Sequence, residues 1–183
     1  MTYKTALLNA WRRLEEVGTK KYYEVRFLND RYTVNTEEKT VFSLSCNVPV
    51  KDYIAILILH YIAKKLTGLP PANGDWLSFK EIEGGEVYYP TFKKRTIDVI
   101  KNKYGQNPDG LLDLVERFQA KTSQIADASI VLEAFEGAPI LITLWRGDEE
   151  FGPEANVLFD RSITDIFCAE DIVVLSEIIS HSM

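Results

Sequence analysis

Four carboxylates and an arginine are crowded into Leu144-Trp145-Arg146-Gly147-Asp148-Glu149-Glu150-Phe151-Gly152-Pro153-Glu154, between two apolar runs that read as strands. Carboxylates are hard oxygen donors, so a loop carrying Asp148, Glu149, Glu150 and Glu154 can bind a metal or a cationic ligand. A calcium loop alternates its carboxylates around a central glycine. Here Asp148, Glu149 and Glu150 are consecutive, and neighbouring side chains in a loop point in different directions. Three readings stay open: a divalent-metal site, a clamp of salt bridges or ligand contacts, and a solvated hairpin tip.

His60 is one of two histidines; the other, His181, lies in a C-terminal tail expected to fray. The residues one helical turn from His60 are Ile56, Leu57, Ala63 and Lys64, so a catalytic or metal-binding histidine would need partners from elsewhere in the fold. The plain alternative is a core histidine held by a hydrogen bond. Arg95 follows Lys93-Lys94 where a helix is expected to begin, and a positive charge there opposes the helix dipole. It calls for an anion, either Glu81 or Asp160 as an inward ion pair or an anionic ligand. Trp11, Trp76 and Trp145, with Tyr88, Tyr89 and Phe92, serve equally as core or as the wall of a planar cofactor pocket. Gly84-Gly85 and Gly105 lack the spacing and the following lysine of a phosphate loop, and there is no Gly-x-Ser-x-Gly elbow.

The elements that must position these groups follow from periodicity. Leu7, Leu8, Trp11 and Leu14 recur at helical spacing over residues 3–17, and Gly18 stops the pattern. A hairpin is expected from Tyr22–Leu28 and Arg31–Asn35 around an Asn29-Asp30 turn, with a third strand over Thr40–Cys46. The run after Pro49 predicts a buried helix over about 50–66, apolar nearly all round and ended by Gly68 and Pro70-Pro71. A strand is expected over Asp75–Ile82, then a Gly84-Gly85 turn into Val87-Tyr88-Tyr89. Helices follow over about 91–104 and 108–119, the second capped by Asn107. Ala128–Phe135 and Ile140–Trp145 read as a hairpin around Glu136-Gly137-Ala138-Pro139. A short strand follows at Asn156–Asp160, and a last helix over about 170–179. Strands and helices are grouped rather than alternating, which predicts an α+β fold, mostly antiparallel, with the 50–66 helix at its centre and flanking helices.

The chain has 183 residues, of which 46% are hydrophobic, enough for one compact domain over 1–183. Its 21 basic and 27 acidic residues give a net charge of −6 and argue against nucleic acid as the main partner. The longest apolar stretch, Tyr53–Ala63, is too short to cross a bilayer, so no membrane role is expected. The opening Met-Thr-Tyr-Lys-Thr-Ala lacks the pattern of a secretion signal. Cys46 and Cys168 sit in apolar settings and are expected to be buried free thiols in a reducing cytoplasm; without a Cys/His cluster, no internal iron–sulfur or zinc site is expected.

Several segments, taken in order, resemble the uncharacterised family domain of unknown function 3786. They are Ile58-Leu59-His60-Tyr61-Ile62, Gly74-Asp75-Trp76-Leu77-Ser78-Phe79-Lys80-Glu81, Gly84-Gly85 through Tyr88, Phe92 with Arg95, Leu144 through Phe151, Leu158-Phe159-Asp160, and Glu170-Asp171. The resemblance spans about residues 22–175. It implies a small protein of anaerobic bacteria or archaea, a possible partner protein carrying an iron–sulfur module, and a link to corrinoid or one-carbon metabolism. The chain departs from the family pattern in three places. It has no cysteine-rich segment, no Pro-Arg before Ile140, and no threonine cap ahead of Ala169-Glu170-Asp171.

The leading functional expectation is therefore a cytoplasmic accessory protein that binds a small ligand or a corrinoid-like cofactor, with no metal of its own. Its candidate ligand-binding residues are His60, Trp76, Glu81, Arg95, Trp145, Asp148, Glu149, Glu150 and Asp160. An enzyme using His60 or Glu150 as general acid–base and a protein–protein interaction module are the alternatives.

Overall fold

The computed structural model describes residues 3–183. Met1 and Thr2, which open the N-terminal segment read above, lie outside the described residues. The fold is α+β, with two sheets that are antiparallel throughout. The chain divides into two compact units, Met1–Pro70 and Pro71–Met183.

In the first unit, helix α1 (Tyr3–Val17) buries Ala10, Trp11 and Leu14 on one stripe, while Leu8 faces solvent. Gly18 ends it by donating its N–H to the Leu14 carbonyl at 2.8 Å. A Cβ at Gly18 would stand 2.6 Å from the Tyr23 hydroxyl, so the close approach demands glycine. Strands β1 (Tyr22–Phe27), β2 (Asp30–Asn35), β3 (Thr40–Ser43) and β4 (Val48–Pro49) pair in chain order.

The first turn is Leu28-Asn29, one residue earlier than expected, because Asp30 is taken into the sheet opposite Phe27. There the Asp30 carboxylate accepts the hydroxyls of Ser43 and Ser45, each at 2.5 Å. Leu28 takes the left-handed φ of 51° in this turn, and its side chain is buried. β3 stops at Ser43 rather than Cys46, since the Ser43 hydroxyl accepts the Cys46 N–H and a left-handed Asn47 turns the chain into β4. Helix α2 (Asp52–Thr67) is the anticipated apolar helix. It buries Ile56 through Leu59 as well as Tyr61 and Ile62, and it packs against α1.

The second unit is built on β5 (Trp76–Ser78), β6 (Lys121–Thr122), β7 (Ala128–Phe135), β8 (Ala138–Trp145) and β9 (Glu154–Asp160), in the spatial order β5-β9-β8-β7-β6. Every residue of β8 from Ile140 to Leu144 is 0% exposed, so this central strand is covered on both faces. The β7–β8 turn is the pair Glu136-Gly137, with Gly137 at a φ of 77°, and Ala138 and Pro139 belong to the strand. Pro139 is accommodated where a bulge shifts the β7 register and before β9 begins to pair.

The helical segments are α3 (Gly85–Phe92), α4 (Asp98–Tyr104), α5 (Leu114–Phe118) and α6 (Ala169–Ser182). The expected 75–82 strand is cut short at Ser78. The Ser78 N–H and hydroxyl both donate to the Glu81 carboxylate at 2.7 Å, which opens a 3-10 turn over Phe79–Glu81. Helix begins at Gly85, ahead of the anticipated residue 91, and α3 runs into α4 through a π turn at Lys93–Ile97. The expected 108–119 helix is a 3-10 turn (Pro108–Leu111) followed by the short α5. The break falls at Leu112-Asp113, and Asn107 makes no side-chain cap. The last helix extends through His181, whose ring sits 2.8 Å from the Glu177 carbonyl rather than fraying.

Phe79 and Phe92 stack with centroids 4.3 Å apart, and Phe159 closes against both. Cys46 and Cys168 are free, but both are exposed, because one lies in the turn after β3 and the other at the cap position of α6. Among the described residues, no helix is long and apolar enough to cross a membrane.

Candidate ligand-binding site

Where β8 ends and β9 begins, residues 146–153 fold into a compact loop beside the C-terminal end of α4. Asp148 organises it. Its Oδ1 accepts the N–H groups of Glu150 at 2.8 Å and Phe151 at 2.7 Å, and its own N–H donates to the Phe151 carbonyl at 2.8 Å. These two hydrogen bonds hold the Asp148 carboxyl below its ordinary pKa and keep it ionised. The loop closes tightly, since a Cβ on Gly147 would lie 2.9 Å from the Pro153 nitrogen and one on Gly105 would lie 2.7 Å from the Pro153 ring. A cleft of about 380 Å³ is left, lined by Gly105, Gln106, Arg146, Asp148, Phe151 and Pro153. Arg146 is tethered rather than loose. Its backbone N–H donates to Asp127 at 2.8 Å and its guanidinium to Asp109 at 2.7 Å. Phe151 is 71% exposed, so its ring is open to solvent at the cleft.

The expected site residues are distributed as follows. Asp148 lines this cleft. Glu149 and Glu150 are exposed on the same loop, and Glu150 contributes its N–H to the Asp148 turn. Trp145 lies at the loop's base, half-buried and opposite Glu154, whereas Trp76 is opposite Asp160. Those partners lie six positions apart on β9, so the two tryptophans are offset by about 20 Å along the strand. Arg95 pairs with Glu177 of α6 at 3.1 Å, not with Glu81 or Asp160. The π turn puts Arg95 on the α6 side, where the Ser180 hydroxyl donates to its carbonyl at 3.1 Å.

Glu81 serves Ser78, and Asp160 is fully buried. Its Oδ2 accepts the N–H of Gly74 at 2.6 Å and of Asn73 at 3.1 Å, and its Oδ1 accepts the N–H of Ser162 at 3.0 Å. Desolvation works to raise the Asp160 pKa, but hydrogen bonds from Ser162, Gly74 and Asn73 outweigh it and lower the pKa. His60 is half-buried on α2 in the first unit. Among the described residues, no group of three or more His, Cys, Asp or Glu is placed to hold a metal ion.

Sequence reasoning left Gln106, Arg146 and Phe151 out of the candidate set. The signal for them was the glycine and proline pattern Gly105, Gly147, Gly152-Pro153, which marks where backbones must approach closely.

The family model described as Domain of unknown function (DUF3786) matches residues 9–182. The chain belongs to this family. No curated protein and no solved structure matches it. Two of the segments that carry the resemblance meet in the fold, since Trp76-Leu77-Ser78 pairs with Leu158-Phe159-Asp160. Asp160 ties down Gly74, and Arg161, the residue after it, donates its backbone N–H to the Asp75 carbonyl at 2.8 Å and its Nε to the Asp75 carboxylate at 2.5 Å. In this chain these contacts form a clasp that fixes the edge strand β5.

Proposed function

We propose that this family member is an accessory protein that binds a small polar ligand or cofactor in the cleft between the end of α4 and the 146–153 loop. The observation that carries this reading is the cleft itself. It combines an ionised carboxylate, a guanidinium paired with Asp109 on a backbone anchored by Asp127, and an exposed aromatic ring around a volume at the lower end of ligand pockets. The glycines and Pro153 brace its wall, so little ordering would be needed on binding.

A cytoplasmic setting, an iron–sulfur partner protein and a corrinoid-like cofactor are the finer form of the proposal; the first rests on the two free thiols and the N-terminal sequence, the other two on the family resemblance. A corrinoid macrocycle would be gripped at its edge in a cleft of this size rather than enclosed.

Native mass spectrometry with an absorption spectrum and metal analysis, on protein purified without oxygen, tests the reading. A co-purifying mass or chromophore lost in Phe151→Ala and Arg146→Ala supports it. A ligand that both variants retain removes the cleft from consideration.

A further inference from the structure

Asn73-Gly74 is the single Asn-Gly pair in the sequence, and it lies exposed in the loop leading into β5. Asn-Gly is chemically labile because glycine has no Cβ to hinder its own nitrogen. The Gly74 nitrogen, on losing its proton, attacks Cγ of Asn73. The Cγ–Nδ2 bond breaks, ammonia leaves, and a succinimide ring forms. Water then opens the ring at one carbonyl or the other, giving aspartate or isoaspartate.

Both reacting groups are tied in the folded chain. The Gly74 N–H donates to Asp160 Oδ2 at 2.6 Å, and Asn73 Oδ1 accepts the Asp75 N–H at 2.9 Å. We infer that Asn73-Gly74 is a latent deamidation site that the buried Asp160 carboxylate holds closed. Ring closure consumes the Gly74 N–H. The succinimide therefore forms only by taking from a fully buried carboxylate the shortest of its three backbone hydrogen bonds. Asp160 is also a poor base for drawing off the Gly74 proton, since its pKa is depressed. Opening of this loop releases the block. The isoaspartate product lengthens the backbone by one carbon beside Trp76, at the point where β5 pairs with Asp160.

The test is peptide mapping by mass spectrometry, with isoaspartate detection, of the full chain incubated at mildly alkaline pH. Native protein is expected to keep Asn73 intact while the same chain unfolded in urea loses it. Folded Asp160→Asn is expected to deamidate at Asn73 roughly tenfold faster or more than wild type, the scale of a lost hydrogen bond to a charged group. Arg161→Ala, which removes the side-chain contact to the Asp75 carboxylate but leaves the backbone bonds of Gly74, Asp75 and Arg161 in place, is expected to stay at the wild-type rate. If Asp160→Asn does not fold, hydrogen exchange at the wild-type Gly74 amide reads the same bond. A protected amide supports the inference. Equal deamidation in native and unfolded chains, a folded Asp160→Asn no faster than wild type, or a rapidly exchanging Gly74 amide overturns it.

Discussion

A Cβ on Gly85 would lie 1.9 Å from the Phe79 carbonyl oxygen, well inside any tolerable contact. The obstacle is main chain on both sides, and it is the carbonyl of the residue that stacks on Phe92. Gly85→Ala must push the start of α3 away from the 3-10 turn and disturb the Phe79, Phe92 and Phe159 cluster. A loss of about 3 kcal/mol is expected, at the upper end of overpacking penalties, read as a lower denaturant midpoint with an unchanged slope.

Gln119 makes the opposite case. It ends α5 at a φ of 51° on the surface, a conformation that costs an L-residue about 1–2 kcal/mol, whereas glycine adopts it freely at an entropic cost of about 0.5–1 kcal/mol. The difference predicts that Gln119→Gly stabilises the protein by about 0.5 kcal/mol, seen as a small rise in Tm.

Acid should destabilise the fold through named carboxylates. Asp160 and Asp30 are both held below their usual 3.8 by hydrogen bonds that outweigh desolvation, from Ser162, Gly74 and Asn73 in one case and from Ser43, Ser45 and Arg31 in the other. A folded pKa below the unfolded one means that the unfolded state binds more protons, so stability is fully present above the unfolded value. It is lost as pH falls through the lower folded values. Stability measured from neutral pH downward should stay level to about pH 5 and then decline. Asp160→Asn should cost about 2 kcal/mol at neutral pH and make that decline shallower.

Cys168 is exposed yet should be a sluggish nucleophile. Desolvation and then the Asp171 carboxylate push its thiol up to about 12, so little thiolate is present at neutral pH. Alkylation followed by mass spectrometry should show Cys168 reacting at least about tenfold more slowly than a free thiol peptide at the same pH. Asp171→Asn should narrow the gap.

What the sequence by itself determined is what periodicity and composition can encode. Helix α1, the apolar helix α2, the β7–β8 hairpin and the antiparallel α+β character all follow from apolar spacing and from Gly18, Gly68 and Gly137 at the breaks. The acidic loop was legible as a turn carrying charge. The tertiary structure decided whatever depends on long-range partners. Asp30 entered its sheet because Ser43 and Ser45, thirteen and fifteen residues away, donate to it. Arg95 found Glu177 and Asp160 found Gly74, each across more than eighty residues. A charge in a sequence announces that it needs a partner, but which partner it meets is set by how strands and helices pack. For the same reason the cleft could not be read in advance, because it exists only where the end of α4 and Pro153 are brought together.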